Sequence, residues 1–190
     1  RYQSGFPILK ELIQNTDDAK ASRLDFGLSP GIPSANHPLL RGPCLFLINN
    51  GEFSKSDREG IFSFALNSKA DDDSSIGKFG LGMKSVFHLC EAFFFLARER
   101  AQDDYSEILN PWCGQSPDDL SVHNNWEDFN EEDVMLIYQQ LATVIDKSEA
   151  EFSRVFILWL PLRTKVHLEL EGGGTAGAIT NEFYGDDPNL

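Results

Sequence analysis

Two short runs constrain this chain more than any other feature: CLFLI, Cys44 to Ile48, and RVFILWLPL, Arg154 to Leu162, are apolar almost without interruption. A strand with one wet face alternates apolar and polar residues, so runs this continuous read as strands buried within a sheet. The first stops abruptly at Asn49-Asn50-Gly51, a turn sequence. AFFFLARE, Ala92 to Glu99, reads as another strand, and RLDFGLS, Arg23 to Ser29, alternates as a half-buried one does.

Between these strands the period changes to that of helices. From Pro7 to Ala21, the residues Ile8, Leu9, Leu12, Ile13, Thr16 and Ala19 fall on one broad face, and Pro7 suits a first turn. Ser54-x-x-Asp57 resembles a capping signal for a helix from Lys55 to Leu66 with Ile61, Phe62 and Ala65 inward. The pattern is helical again from Gly80 to Glu91. Glu131 to Phe152 predicts an amphipathic helix with Val134, Ile137, Leu141, Val144 and Ile145 on one side. PSANHPLLRGP, Pro33 to Pro43, and the polar stretch Asn67 to Ser75 read as loops. VHLELE, Val166 to Glu171, is a strand able to pair with the run before it. Strand, helix and glycine turn alternate in the α/β manner.

At 190 residues the chain fits one domain, here 1–171, with an irregular acidic insertion at about 101–130 and a loose glycine-rich tail at 172–190. Its opening on Arg1 reads as excision from a longer protein. Net charge is −14, and no Lys or Arg occurs between Arg100 and Lys147. A phosphate backbone is repelled by such a face, so direct nucleic-acid binding is disfavoured. No apolar run is long enough to suggest a membrane span. Cys44, Cys90 and Cys113, widely spaced and odd in number, suggest reduced thiols in the cytoplasm or another intracellular compartment. Cys113 and His123 are too few for a metal-thiolate site. Gly-x-Ser-x-Gly and His-x-x-x-His are both missing, which sets aside two common hydrolase chemistries.

Three clusters carry candidate chemistry. Glu11, Asn15 and Asp18 lie within roughly 60° of one another on the first helix, a shared polar face that is either a site wall or simply solvated. In INNGEF, Ile48 to Phe53, a buried strand delivers a polar side chain and Gly51 lets a ligand approach the backbone; a plain turn gives the same sequence. SSIGKFGLGMKSVFHL, Ser74 to Leu89, places Gly77, Gly80 and Gly82 before a helix. There, successive backbone N–H groups and the helix dipole can cradle an anion, or the glycines can act as a hinge. It is neither a P-loop nor a dinucleotide fingerprint.

Taken in order, Glu-x-x-x-Asn-x-x-Asp-Ala, the polar-polar-Gly turn and Gly-x-Phe-Gly-x-Gly-Met resemble the GHKL ATPases, the superfamily of gyrase B, the ninety-kilodalton heat-shock chaperone, histidine kinases and MutL. ILKELIQNTDDA, Ile8 to Ala19, IGKFGLGMKSVFHL and WLPLR, Trp159 to Arg163, resemble in particular the ATP-binding repeats of sacsin-type proteins. The resemblance implies a two-layer α/β sandwich of the Bergerat type with a mixed, mainly antiparallel sheet. It implies ATP and Mg²⁺ as ligands, slow hydrolysis, a lid at about 67–78, and contacts with other domains, protein partners or a nucleotide-dependent second subunit. By position, Glu11 matches the general base, Asn15 the Mg²⁺ ligand and Asp18 a supporting residue. Gly77, Lys78, Phe79, Gly80, Leu81, Gly82 and Met83 match the phosphate-wrapping segment, in which Lys78, like Lys84 beyond it, is a candidate cation for the γ-phosphate. Asn49 stands where most of the superfamily has the Asp that accepts from the adenine amino group, which implies adenine recognition that is either weaker or shared with water and with Asn50. Phe53 stands where the usual Asp-x-Gly-x-Gly has its second glycine. The Gly-Thr near the last strand has only Ser153-Arg154 nearby.

Overall fold

A computed structural model of the chain describes residues 6–66, 86, 87, 89, 90, 92–99, 105–109, 129–146 and 154–162. They form helices α1 (Phe6–Asp18), α2 (Lys55–Leu66) and α3 (Glu131–Asp146). Five strands accompany them: β1 (Leu24–Ser29), β2 (Cys44–Asn49), β3 (Phe93–Glu99), β4 (Tyr105–Leu109) and β5 (Arg154–Pro161). The strands make one sheet in the order β1-β2-β5-β3-β4. The most apolar run of the chain is therefore its central strand, with β2 on one side and β3 on the other.

Period two then sorts the side chains. Leu45 and Leu47 of β2, Phe93 and Phe95 of β3, and Phe156, Leu158 and Leu160 of β5 share one core with Ile8 and Leu12 of α1 and Ile61 of α2. The alternate residues, Cys44, Ile48, Phe94, Leu96, Ile157 and Trp159, share a second core with Ile137, Leu141 and Ile145 of α3 and with Ile32, Leu39 and Leu40. The α/β class holds, but the described residues form three layers where two were expected. The continuous apolar runs are the reason: every residue of the β5 segment 156–161 is buried, which one covered face alone does not achieve. All four described pairings are antiparallel, so the mixed character expected of the sheet is not seen among them.

Local signals account for the helix ends. Ser54 and Asp57 cap α2 reciprocally: Ser54 N–H donates to Asp57 Oδ2 at 2.8 Å and Asp57 N–H to Ser54 Oγ at 3.3 Å. Asn130 caps α3 by accepting from Asp133 N–H at 2.9 Å, and three acidic residues fill that first turn, where the helix dipole favours them.

Three readings change. Ile13, expected on the inner face of α1, is half exposed, lying about 100° round the helix from buried Leu12. The acidic segment 101–130 is not wholly irregular: Tyr105–Leu109 pairs with β3, and Arg58 of α2 makes a two-pronged ion pair with Glu107 on it. That bond pushes the Arg58 pKa further up. The loop before β2 carries a 3-10 turn, Pro38–Leu40, and buried core residues of its own. It is held where Gly31 adopts φ 97° and passes so close to Gly42 that an added Cβ would lie 2.3 Å from the Gly42 carbonyl oxygen. VHLELE, the lid region and the tail lie outside the described residues.

Cys44 and Cys90 are buried and in no disulfide, Cys90 Sγ donating to the Val86 carbonyl at 3.3 Å, and burial pushes the Cys44 pKa well up, leaving it protonated and inert.

Candidate functional site

The site is built where β2 ends. Alternation along β2 places Asn49 on the α1 side of the sheet, 4% exposed. Its Oδ1 accepts from Gly51 N–H at 2.9 Å and so closes its own turn. Glu52 N–H then donates to the Ala19 carbonyl at 2.9 Å, just past the end of α1. Asn50 Oδ1 accepts from Ser22 N–H at 2.9 Å and Arg23 N–H at 3.1 Å, while its Nδ2 donates to Ser22 Oγ at 2.8 Å. Asn50 is thus a clamp between this turn and the α1–β1 connection. Gly51 is buried in the junction, where an added Cβ would lie 2.7 Å from Ala19 Cβ.

Above the turn lies a pocket between α1 and the sheet. Leu12, Asn15, Thr16 and Ala19 line it from α1; Leu47, Asn49, Glu52 and Phe53 line it from β2 and its turn; Phe156 and Leu158 complete it from β5. Apolar walls with a few convergent polar groups are the usual composition of a small-molecule site. Thr16 Oγ1 donates back to the Leu12 carbonyl at 2.9 Å, so its hydrogen is spent within the helix. Asn15 differs: its Nδ2 is buried and, among the described residues, has no hydrogen-bond partner.

The structure therefore brings Asn15 and Asn49, which the sequence singled out from two separate segments, to one pocket; Gly51 does not line it but packs against Ala19 in the junction below. Glu11 stands one turn before Asn15 on α1, half-buried, and Asp18 is exposed near its end; neither lines the pocket. Gly77, Lys78, Phe79, Gly80, Leu81, Gly82 and Met83 lie outside the described residues. Phe53 packs into an aromatic cluster with Phe95, Tyr105 and Phe156, stacking on Phe156 with ring centroids 5.0 Å apart. Where a glycine would permit movement, this chain has an anchor.

Two residues of the site were not recognised from sequence. Glu52 lines the pocket and accepts from Arg154 Nη1 at 3.1 Å, an ion pair at the rim. INNGEF contained Glu52, but its partner becomes visible only through the pairing of β2 with β5.

One buried group bears on the fit of these residues to a nucleotide with Mg²⁺. Asn15 Nδ2, an N–H donor, is buried and without a hydrogen-bond partner among the described residues, and a half-turn about the last torsion would place the amide oxygen, the atom able to ligate a cation, in its stead. Among the described residues no three His, Cys, Asp or Glu side chains converge as a metal site. A Mg²⁺ ion held here would share one protein oxygen with phosphate and water, an arrangement common for this ion.

The fold is an α/β domain with a pocket beside α1, and comparison with known proteins specifies the family. The sacsin-domain profile matches residues 1–172, and the chain belongs to that family. It is similar to human sacsin, with 37% identity over 97 residues, 48% of this chain. The match covers 2% of human sacsin's length. No helix among the described residues is long and apolar enough to cross a membrane.

Proposed function

We propose that the pocket between α1 and the sheet is a GHKL-type site that holds ATP with Mg²⁺, and that the chain hydrolyses ATP slowly as a nucleotide-driven switch within a larger chaperone-like or defence-related protein. The observation that carries this reading is the Asn15 amide. A buried N–H donor left unpaired costs about 1–3 kcal/mol, which a ligand oxygen or water accepting from it removes; after a half-turn the same amide offers its oxygen to a cation instead. Membership of the sacsin-domain family supports it, and the unbridged Cys44 and Cys90 are consistent with an intracellular setting.

In this reading the apolar walls receive the base, with Asn49 and Glu52 at one end. Asn15 holds the metal side of the phosphates. Glu11, on the same helix and partly open to water, orients and deprotonates the attacking water, work that needs an acceptor at neutral pH. Mg²⁺, when bound, supplies neutralisation of phosphate charge. The glycine segment Gly77 to Met83 completes the phosphate end, and closure over the nucleotide alters contacts with other domains or a second subunit.

Calorimetric titration with Mg²⁺-ATP, followed by phosphate release from wild type and Glu11→Ala, tests the reading. Binding is expected in both proteins, with hydrolysis in the variant reduced by about 10²-fold or more. No binding at millimolar nucleotide contradicts the site, and undiminished hydrolysis contradicts the role of Glu11. A second reading, a non-hydrolysing scaffold for protein partners, is favoured by Phe53, whose packing fixes the segment that leads towards the lid. Bound ATP with no phosphate release by wild type identifies that case.

A further inference from the structure

We propose that Glu52, held by Arg154, is the acceptor that reads the exocyclic amino group of a purine in this pocket; the inference rests on the nucleotide reading above. The polar groups at the β2 end of the pocket can be taken one by one. Asn49 spends a lone pair of its carbonyl oxygen on Gly51 N–H and carries no charge. Asn50 is engaged with Ser22 and Arg23 on the far side of the turn. Glu52 is the carboxylate among the residues that line the pocket. Ionised, it has about four acceptor sites, and the 3.1 Å bond from Arg154 to Oε1 uses one of them.

Arg154 is placed for this by strand geometry. It lies two residues before Phe156 on β5, hence on the same face, and Phe156 is paired with Asn49. The guanidinium therefore sits just beyond the Asn49 end of the pocket, where it biases the rotamers of a glutamate whose side chain is 61% exposed at the rim. A carboxylate so biased beside apolar walls favours a flat ring that offers N–H donors on its edge and disfavours one that presents a carbonyl there. Adenine has an amino group at that edge; hypoxanthine has an oxygen in its place. Glu52 is a base-reading residue on this account, and Arg154 is a positioning residue that acts through it.

The test compares ATP with inosine triphosphate, each with Mg²⁺, by calorimetry on wild type, Glu52→Ala and Arg154→Ala. Wild type is expected to prefer ATP by about tenfold or more, the size of one charge-assisted hydrogen bond at a partly open site. Glu52→Ala is expected to lose about tenfold in ATP affinity with little change for inosine triphosphate, bringing the ratio close to one. Arg154→Ala is expected to move the ratio in the same direction by a smaller factor, which a merely structural loss would not do, and it also serves if the first variant fails to fold. Equal wild-type affinities, or a ratio unchanged in Glu52→Ala, overturn the assignment while leaving the nucleotide site intact. Absence of any nucleotide binding by wild type overturns both.

Discussion

At the scale of single residues, Gly51 shows how the site is joined to the fold. The turn after β2 packs on the end of α1 so closely that a methyl group at 51 would meet Ala19 Cβ at 2.7 Å, and both the Ala19 carbonyl oxygen and Asn49 Oδ1 at 3.0 Å. Gly51→Ala is expected to lower the unfolding free energy by about 1–3 kcal/mol, seen as a fall in the urea midpoint. Adding Ala19→Gly removes the nearest of these clashes and is expected to restore part of the loss; a midpoint unmoved by Gly51→Ala contradicts this packing. Asn15, Asn49 and Gly51 were legible in the sequence because each stands at a position that local pattern defines: a helix face, a strand end, a turn glycine. The clamp made by Asn50 and the Glu52–Arg154 pair were not, because their partners are 28 and 102 residues away and strand register brings them together.

At the scale of elements, a buried carboxylate joins α3 to the loop before β2, beside an exposed bond from Asn36 Nδ2 to Glu132 Oε2 at 2.9 Å and a shared apolar core. In the sequence Asp133 is one more acid in an acidic stretch. In the fold it is fully buried, accepting from Asn36 N–H at 2.7 Å and His37 N–H at 2.9 Å. Asp133→Ala leaves those two donors without that acceptor and is expected to cost about 1–3 kcal/mol for each that water does not reach, measured by urea unfolding. Asp133→Asn, which keeps one acceptor oxygen, is expected to cost less. Because α3 lies on the face opposite the pocket, ATP affinity of the folded Asp133→Asn protein should match wild type; a weakened affinity would show the two faces to be coupled. Helix and strand positions followed from periodicity, and α2 from its capping box as well. β4 was hidden because YSEIL is short and set among acids; its place depends on β3 and on Arg58 reaching across from α2.

At the scale of the whole molecule, the sheet divides the chain into a face that holds the pocket and a face that does not. The unbroken apolar runs of β2, β3 and β5 require both faces to be covered, and this could be read from their composition alone. The expected two-layer sandwich came from resemblance, which does not count the residues on each side. The covering by α3 and the 32–40 loop follows from contacts such as Asp133 to His37, separated by 96 residues and invisible to any local pattern. On the pocket face the described residues place apolar walls, a rim carboxylate and the buried Asn15 Nδ2. The most direct test is a ¹⁵N spectrum of the Asn side-chain amides during titration with Mg²⁺-ATP, with the Asn15 signals assigned by their loss in Asn15→Asp. The account predicts that the Asn15 Nδ2 resonances shift progressively and saturate with the binding curve, whereas ATP that binds and leaves them unmoved, or does not bind at millimolar concentration, contradicts it.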